Sequence, residues 1–279
     1  MSRHFLRISL DRVFGGLVGL SLVIAVVPVA LLLAFLMARG LPGLLAPGFF
    51  TEMPHPIGVP GGGVLNAIVG TLIIVGLASL FAVPVGVMIG LFLAEFAHNR
   101  FGDTVRFTSD VLTGLPSIAF GLFGYVVLVR TLGHFSAVSA SAALGVLMLP
   151  LILRATESAL LLVPGSLREA GLALGAPQWR VTIQVVLPAA LGAIVTAVLL
   201  AMARAAGETA PLLFTALGNE FLQLDPLHPM GALSLTVFKN ALVPYTDLQN
   251  QAWAAALLLV ILVSVTNIVA RLYVRRVQR

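Results

Sequence analysis

Six runs free of charged side chains dominate this sequence: Phe14 to Ala38, Val64 to Ala94, Val111 to Val129, Ser136 to Leu153, Val181 to Ala203 and Leu248 to Ala270. A helix needs about 20 predominantly apolar residues to cross the roughly 30 Å hydrocarbon core of a bilayer, and each run meets or approaches that length. Only helices and closed barrels satisfy their backbone in lipid, and a barrel strand needs only about 9–11 residues, roughly half of such a run. The chain is therefore predicted to be an all-α integral membrane protein with six transmembrane helices. Its 59% hydrophobic and 10% charged residues depart in the same direction from soluble domains, which are about half apolar and about a quarter charged.

The first run follows Arg3, Arg7 and Arg12, as a secretory signal would. A cleaved signal has an apolar stretch of about 7 to 15 residues, so the longer run Phe14 to Ala38 is read as a retained anchor. Leu41 to Gly63 carries several prolines and a GGG triplet and is expected to be an irregular external loop. Residues 1–63 thus form tail, anchor and loop. The main membrane domain is expected over 64–276, with spans at 64–94, 111–130, 136–163, 188–217 and 250–271.

Basic residues set the orientation. One side of the predicted topology holds Arg3, Arg7, Arg12, Arg100, Arg106, Arg154, Arg168, Arg180, Arg271, Arg275, Arg276 and Arg279; the other holds Arg39, Arg130 and Lys239. The positive-inside rule then puts both termini in the cytoplasm. The net charge of +5 calls for no nucleic acid, since basic flanks facing anionic lipid headgroups account for it. There is no cysteine and the five histidines are scattered, so neither a metal site nor a catalytic residue is expected.

Pro28, Pro84, Pro116, Pro150 and Pro211 fall inside apolar runs, which a protein bundle tolerates when neighbours satisfy the freed carbonyls. Gly15-x-x-x-Gly19 and Gly86-x-x-x-Gly90 offer faces for close helix packing. Asn66 and Asn267 are expected to act as polar glue between helices.

The segment SLREAGLALGAPQWRVTIQVVLP, Ser166 to Pro188, lies on the basic side. Ser166 followed by Glu169 fits a capping box, Gly175 and Pro177 fit a helix stop and turn, and a second short helix should lead into the fifth span at Pro188. A helix, a glycine turn and a helix on a membrane face make a docking element. Glu169-Ala170-Gly171, then Gly175, then Val185-x-Leu187-Pro188 resembles the EAA loop of ABC-transporter importer permeases, with Gly171 in place of the second alanine and Val185 in place of isoleucine. LNAIVGT, GLPSIAFGLFG, MLPLILRATESAL and ARAAGETAPLLFTA are similar, more narrowly, to the phosphate-importer permeases.

That resemblance implies a type I importer permease bundle and a coupling role for Glu169, Ala170, Gly171, Gly175 and Pro188. It also implies the partners: a second permease chain, two ATP-binding subunits, an external phosphate-binding protein, and phosphate itself. The chain has no G-x-x-x-x-G-K-[ST] segment, and its single lysine is Lys239. ATP and Mg are accordingly expected on partner subunits, with no cofactor on this chain.

Arg204 and Glu208 stand four apart in the apolar run that ends near Leu217, close enough to pair on a helix. An arginine at the membrane centre costs about 2.5–3.5 kcal/mol on insertion scales, so both charges are expected to face the bundle interior or a wet path. The guanidinium fork matches phosphate oxygens, Glu208 can accept a hydrogen from protonated phosphate, and Thr209 adds a donor. Gly207 and Pro211 would let the helix bend there. Arg154 and Glu157 form a second pair, expected at the membrane edge as an interfacial bridge or a frame for the coupling loop. A permease for molybdate or sulfate, or a proton-coupled carrier using Glu208, are the alternatives. Gly218 to Asn250, with Lys239, is the expected contact for the external binding protein.

Overall fold

The computed structural model describes residues 2–59, 61–97 and 99–277, with the side chains of 2–13, 270, 271 and 273–277 left aside. The basic side chains counted above at positions 3, 7, 12, 271, 275, 276 and 279 therefore lie outside the described ones. All regular elements among the described residues are helical. Among the described residues five helices are long and apolar enough to cross a membrane, and a pair bent by 102° brings the number to six where it crosses as one broken span.

Helix α1 (Ser2–Leu44) outruns its predicted span and reaches into the proline-rich segment. It packs antiparallel on the last helix, α10 (Thr246–Val277): added Cβ atoms at Gly40 and Gly43 would meet Leu257 Cβ at 2.8 Å and Ala254 Cβ at 3.0 Å. Only 6% of the apolar window of α1 is buried. Nothing lies within 4 Å of a Cβ added at Gly15 or Gly19, so that predicted packing face has no counterpart among the described residues.

The centre of the bundle is α5 (Ala137–Leu161), 67% of whose apolar window is buried. It lies along α2 (Leu65–Glu95), and small residues set their separation. A Cβ at Gly86 would sit 2.9 Å from Ile152 Cβ, and one at Gly90 2.7 Å from Thr156 Cβ. Side-chain volume is removed where the two backbones approach, which is the physical content of the Gly86–Gly90 pattern. Ile74, Ala78 and Ala82 of α2 meet Leu144, Met148 and Ile152 of α5 in a core completed by Ala201 and Ala205.

The predicted span 111–130 is not one helix. Helix α3 (Arg100–Gly114) and helix α4 (Ser117–Leu132) meet at 102°. Proline disfavours helical geometry in the residue before it and has no N–H to continue the ladder, so Leu115 is extended at ψ 141° ahead of Pro116. Pro116 ends a helix rather than sitting inside one. The apolar run crosses the bend without a sign of it, because hydropathy carries no direction.

After α5, a short helix α6 (Gly165–Ala173) begins at Pro164, and no side chain caps it. The expected Ser166–Glu169 capping box does not form: the fixed φ of Pro164 starts the helix early and leaves Ser166 inside the first turn. Nor is there a separate second helix. Helix α7 (Gln178–Gly207) runs unbroken through Pro188, preceded by a wide turn at Thr182–Val186 in which Leu187 N–H donates to Thr182 O. That widening gives the proline ring room against the carbonyl four residues earlier.

Helix α7 stops at Gly207, short of the predicted 217, and α8 (Ala210–Thr215) follows. A further helix, α9 (Leu233–Ala241), occupies the segment expected to be external loop. One end of the molecule is fixed by contacts: Asn66 Nδ2 donates to Asn219 O at 2.6 Å, Ser136 N–H to Thr215 O at 3.1 Å, and Gln251 Nε2 to Gly63 O at 2.9 Å. Glu95, Leu161 and α6 mark the opposite end. Asn66 thus binds across the fold, whereas the hydrogen bond of Asn267 among the described residues is to Val263 O of its own helix.

Candidate functional site

At the α6 end, the segment 165–178 folds as a helix, a glycine turn and the start of α7. Gly175 has φ +79°, a left-handed conformation that favours glycine. Its N–H donates to Leu172 O at 2.9 Å and that of Ala176 to Gly171 O at 3.3 Å, the paired bonds of a glycine-terminated helix. Gly171 faces α7: a Cβ there would come within 2.8 Å of Val181 Cγ2, so its hydrogen lets the two helices close. Glu169 and Ala170 are exposed, and so is Pro188 on the flank of α7.

A residue that sequence reasoning counted only as a charge holds this hairpin in place. Arg168 donates to Glu95 Oε1 from Nη2 at 2.6 Å, to Leu160 O at 2.8 Å and, from Nη1, to Val163 O at 2.7 Å. Gln178 Nε2 reaches the backbone O of the same Glu95 at 3.0 Å. The one available signal was Glu95 itself, a lone acid closing an uncharged run. Around the anchored hairpin Leu162, Leu174 and Trp179 present apolar surface, with Leu174 89% exposed.

The second constellation lies at the break after α7. Glu208 leaves the helix at ψ 126°, and Arg204 Nε donates to its Oε1 at a long 3.4 Å. The carbonyl of Glu208 accepts from Ser234 Oγ on α9 at 3.1 Å, a contact 26 residues apart in sequence that no local pattern signals. Thr209 and Gly207 line, with Ser234, Phe35 and Trp253, a cavity of about 510 Å³ between α1, α9 and α10. Pro211 is buried in α8 against Gly121 of α4.

Depth follows from the contacts. Leu233 N–H, beside Ser234, donates to Thr71 Oγ1 at 2.8 Å, and Thr71 is six residues into α2. At 1.5 Å per residue, Arg204 is about 15 Å from that end, near the middle of a roughly 30 Å core. Its side chain is nevertheless 49% exposed. Ala201 and Ala205 turn to the core while Arg204 turns away, so the interior of this chain is excluded as its surroundings. Arg204 opens on a surface.

At the end opposite α6, a cavity of about 710 Å³ holds Lys239, Asn66, Asn219 and Asn240. Lys239 Nζ donates to Leu217 O at 2.8 Å, where the chain passes through left-handed Leu217 and Gly218, at φ +61° and +88°. Arg154 and Glu157 pair at 2.9 Å, and Arg154 also bridges to Asp110 of α3 at 3.0 Å.

The fold and site define a multi-span membrane bundle with an arginine-bearing surface at mid-depth and a hairpin presented at one end. Residues 86–279 match the family described as binding-protein-dependent transport system inner membrane component, and the chain belongs to it. It is a multi-pass protein of the inner membrane.

Its relatives in that family carry the name PstA. It is 40% identical over 272 residues to the phosphate transport system permease protein PstA of Haemophilus influenzae, covering 97% of this chain and 96% of that one. It is 43% identical over 234 residues to PstA of Yersinia pestis, covering 84% and 79% respectively. With PstA 1 of Mycobacterium tuberculosis (strain CDC 1551 / Oshkosh) it shares 38% over 255 residues, 90% of this chain and 84% of that protein. Among solved structures, a chain of the inward-facing MetNI methionine ABC transporter superposes with a TM-score of 0.67 at 23% identity, covering 77% of this chain and 96% of that one. At that identity the likeness concerns the fold alone.

Proposed function

We propose that this chain is a permease subunit of an ATP-driven phosphate importer, its α6 end in the cytoplasm and its Lys239 end outside. The observation that carries the reading is the half-exposed Arg204 at mid-membrane depth. A charge there faces water or protein, because lipid is too costly. A second permease chain set against this surface would enclose a wet path between the two. In that path the terminal nitrogens of Arg204 offer two parallel donors to phosphate oxygens. Glu208 steadies the guanidinium and accepts from a protonated phosphate, Thr209 adds a hydroxyl, and the break at Gly207 bares backbone groups beside them.

Energy enters at the other end. The exposed apolar side chains of the hairpin suit the cleft of an ATP-binding subunit, with Glu169 and Ala170 at the contact. Such subunits, two per importer, carry the ATP and Mg, for this sequence has no phosphate-cradling loop. An external binding protein delivers phosphate to the face around Lys239. The names of its relatives supply the anion; the Arg204 surface supplies a reason for it.

Reconstitution of the purified complex in liposomes tests this. Labelled phosphate uptake should require ATP and the binding protein, and tenfold excess sulfate or molybdate should leave it unchanged. Uptake without ATP would establish the proton-coupled carrier instead, and inhibition by molybdate or sulfate would reassign the anion.

A further inference from the structure

The α6 end carries a second pattern, reciprocal in form. Arg106 of α3 donates to Glu157 Oε1 of α5 at 2.6 Å, and its Nη2 donates to Leu93 O in the last turn of α2 at 2.9 Å and to Ala97 O just beyond that helix at 3.3 Å. Arg168 of α6 does the converse. It pairs with Glu95 of α2 and donates to Leu160 O in the last turn of α5 and to Val163 O just beyond that helix. Each arginine thus caps one of the two central helices and binds the carboxylate of the other. Both carboxylates are buried, with side chains 5% exposed for Glu95 and 4% for Glu157. Arg154 closes the set by joining Glu157 to Asp110 of α3.

Stability alone is a poor reason for such an arrangement. Buried ion pairs are often replaceable by apolar residues at no cost, while losing one partner costs about 3–5 kcal/mol. What directional, charge-assisted bonds provide is a fixed geometry. Helix ends that would otherwise slide on apolar contacts are pinned at several points each.

We infer that Arg106–Glu157 and Arg168–Glu95 form a crossed clamp that makes α2, α3, α5 and α6 one rigid body, so that a push on α6 displaces two membrane-spanning helices and the α3 arm together. The four are positioning residues; none touches the transported anion. The inference rests on the proposed coupling role of α6 and adds the means by which its motion is passed on without being absorbed locally. The exposed apolar hairpin supplies the contact, and the clamp supplies the stiffness.

The absence of cysteine allows a direct test. Nitroxide labels at Thr104→Cys on α3 and Ser166→Cys on α6, both exposed positions, report the separation of the two arms within the assembled complex. The mean distance should be the same in the nucleotide-free and ATP-trapped states. With Glu95→Gln added, the distribution should broaden and phosphate moved per ATP should fall several-fold. The double variant Glu95→Leu with Arg168→Met, which leaves no buried charge unpaired, should assemble and hydrolyse ATP yet show the same loss of coupling.

A nucleotide-dependent change of distance in the unaltered clamp would overturn the inference. So would an unchanged yield of phosphate per ATP in the double variant. Gly175→Pro separates this from the parent reading: if it leaves transport coupled, the role assigned to α6 fails; if it uncouples while the clamp variants do not, the clamp alone fails.

Discussion

A guanidinium in mid-membrane has few acceptable neighbours, and Arg204 has one weak partner among the described residues. The 3.4 Å bond from its Nε engages a single one of five N–H donors, so the planar face of the fork is held roughly in place while its terminal pairs stay available. Charge-assisted hydrogen bonds contribute about 1.5–3 kcal/mol each, which corresponds to roughly 10- to 150-fold in rate if one is lost from the transport cycle. Arg204→Leu should therefore lower phosphate uptake by about 100-fold or more without reducing the amount of complex recovered from membranes. Arg204→Lys, a point charge without the fork, should retain a few per cent of uptake and need more phosphate to reach half-maximal rate. Uptake at the normal rate in Arg204→Leu would take this side chain out of the path. The pair itself was legible, since four residues on a helix bring two side chains together; its exposure was not, because which face of α7 meets the core depends on α2, α5 and α10.

Two elements show how much of the architecture a hydropathy pattern can and cannot carry. The contact between α2 and α5 is written locally, as glycines four apart, and the structure places both against α5. Gly90→Val would force a branched side chain where Thr156 Cβ already stands within 2.7 Å of an added Cβ. Overpacking of this kind costs about 1–3 kcal/mol, so a lower melting temperature of the purified subunit complex is expected, and an unchanged one would mean that the helices are free to part. The hairpin of α6 behaves differently. Gly175→Pro loses both the N–H bonded to Leu172 and the left-handed backbone, a penalty of about 3 kcal/mol by the scale of proline in helices. Because the turn is peripheral, the membrane bundle should persist while ATP hydrolysis continues without phosphate uptake. By contrast, the break at Pro116, the end of α7 at Gly207 and the existence of α9 escape the pattern. The apolar runs continue past Pro116 and Gly207, while Leu233–Ala241 carries Lys239 and Asn240 and does not read as a span; tertiary contacts such as Thr71 with Leu233 fix where these segments turn. The ionic contacts at the α6 end join residues 51 and 73 positions apart, which no local rule reaches.

For the molecule as a whole, the chain order and the contacts at each end agree on one arrangement: α2, α5 and α10 run one way, α1 and α7 the other, and the hairpin and α9 lie at opposite ends. Which end faces the cytoplasm is a matter of charge rather than of packing. Arg100, Arg106, Arg154, Arg168 and Arg180 cluster near the α6 end, against Arg39, Arg130 and Lys239 toward the other, so translocation of the α6 end would carry the larger positive load. A cysteine-free chain makes the orientation measurable, since each introduced thiol is the only one present in it. Leu45→Cys, at a position 73% exposed just after α1, should react with a membrane-impermeant maleimide in intact spheroplasts. Thr104→Cys on α3 should react only in inverted vesicles or after permeabilisation. Both substitutions lie on exposed side chains away from Arg204 and from the hairpin, so uptake in each variant should stay near normal and certify that the labelled molecules are assembled. The opposite labelling pattern in such active variants would place the hairpin outside the cell, out of reach of any cytoplasmic ATP-binding subunit, and the coupling role of α6 would have to be abandoned.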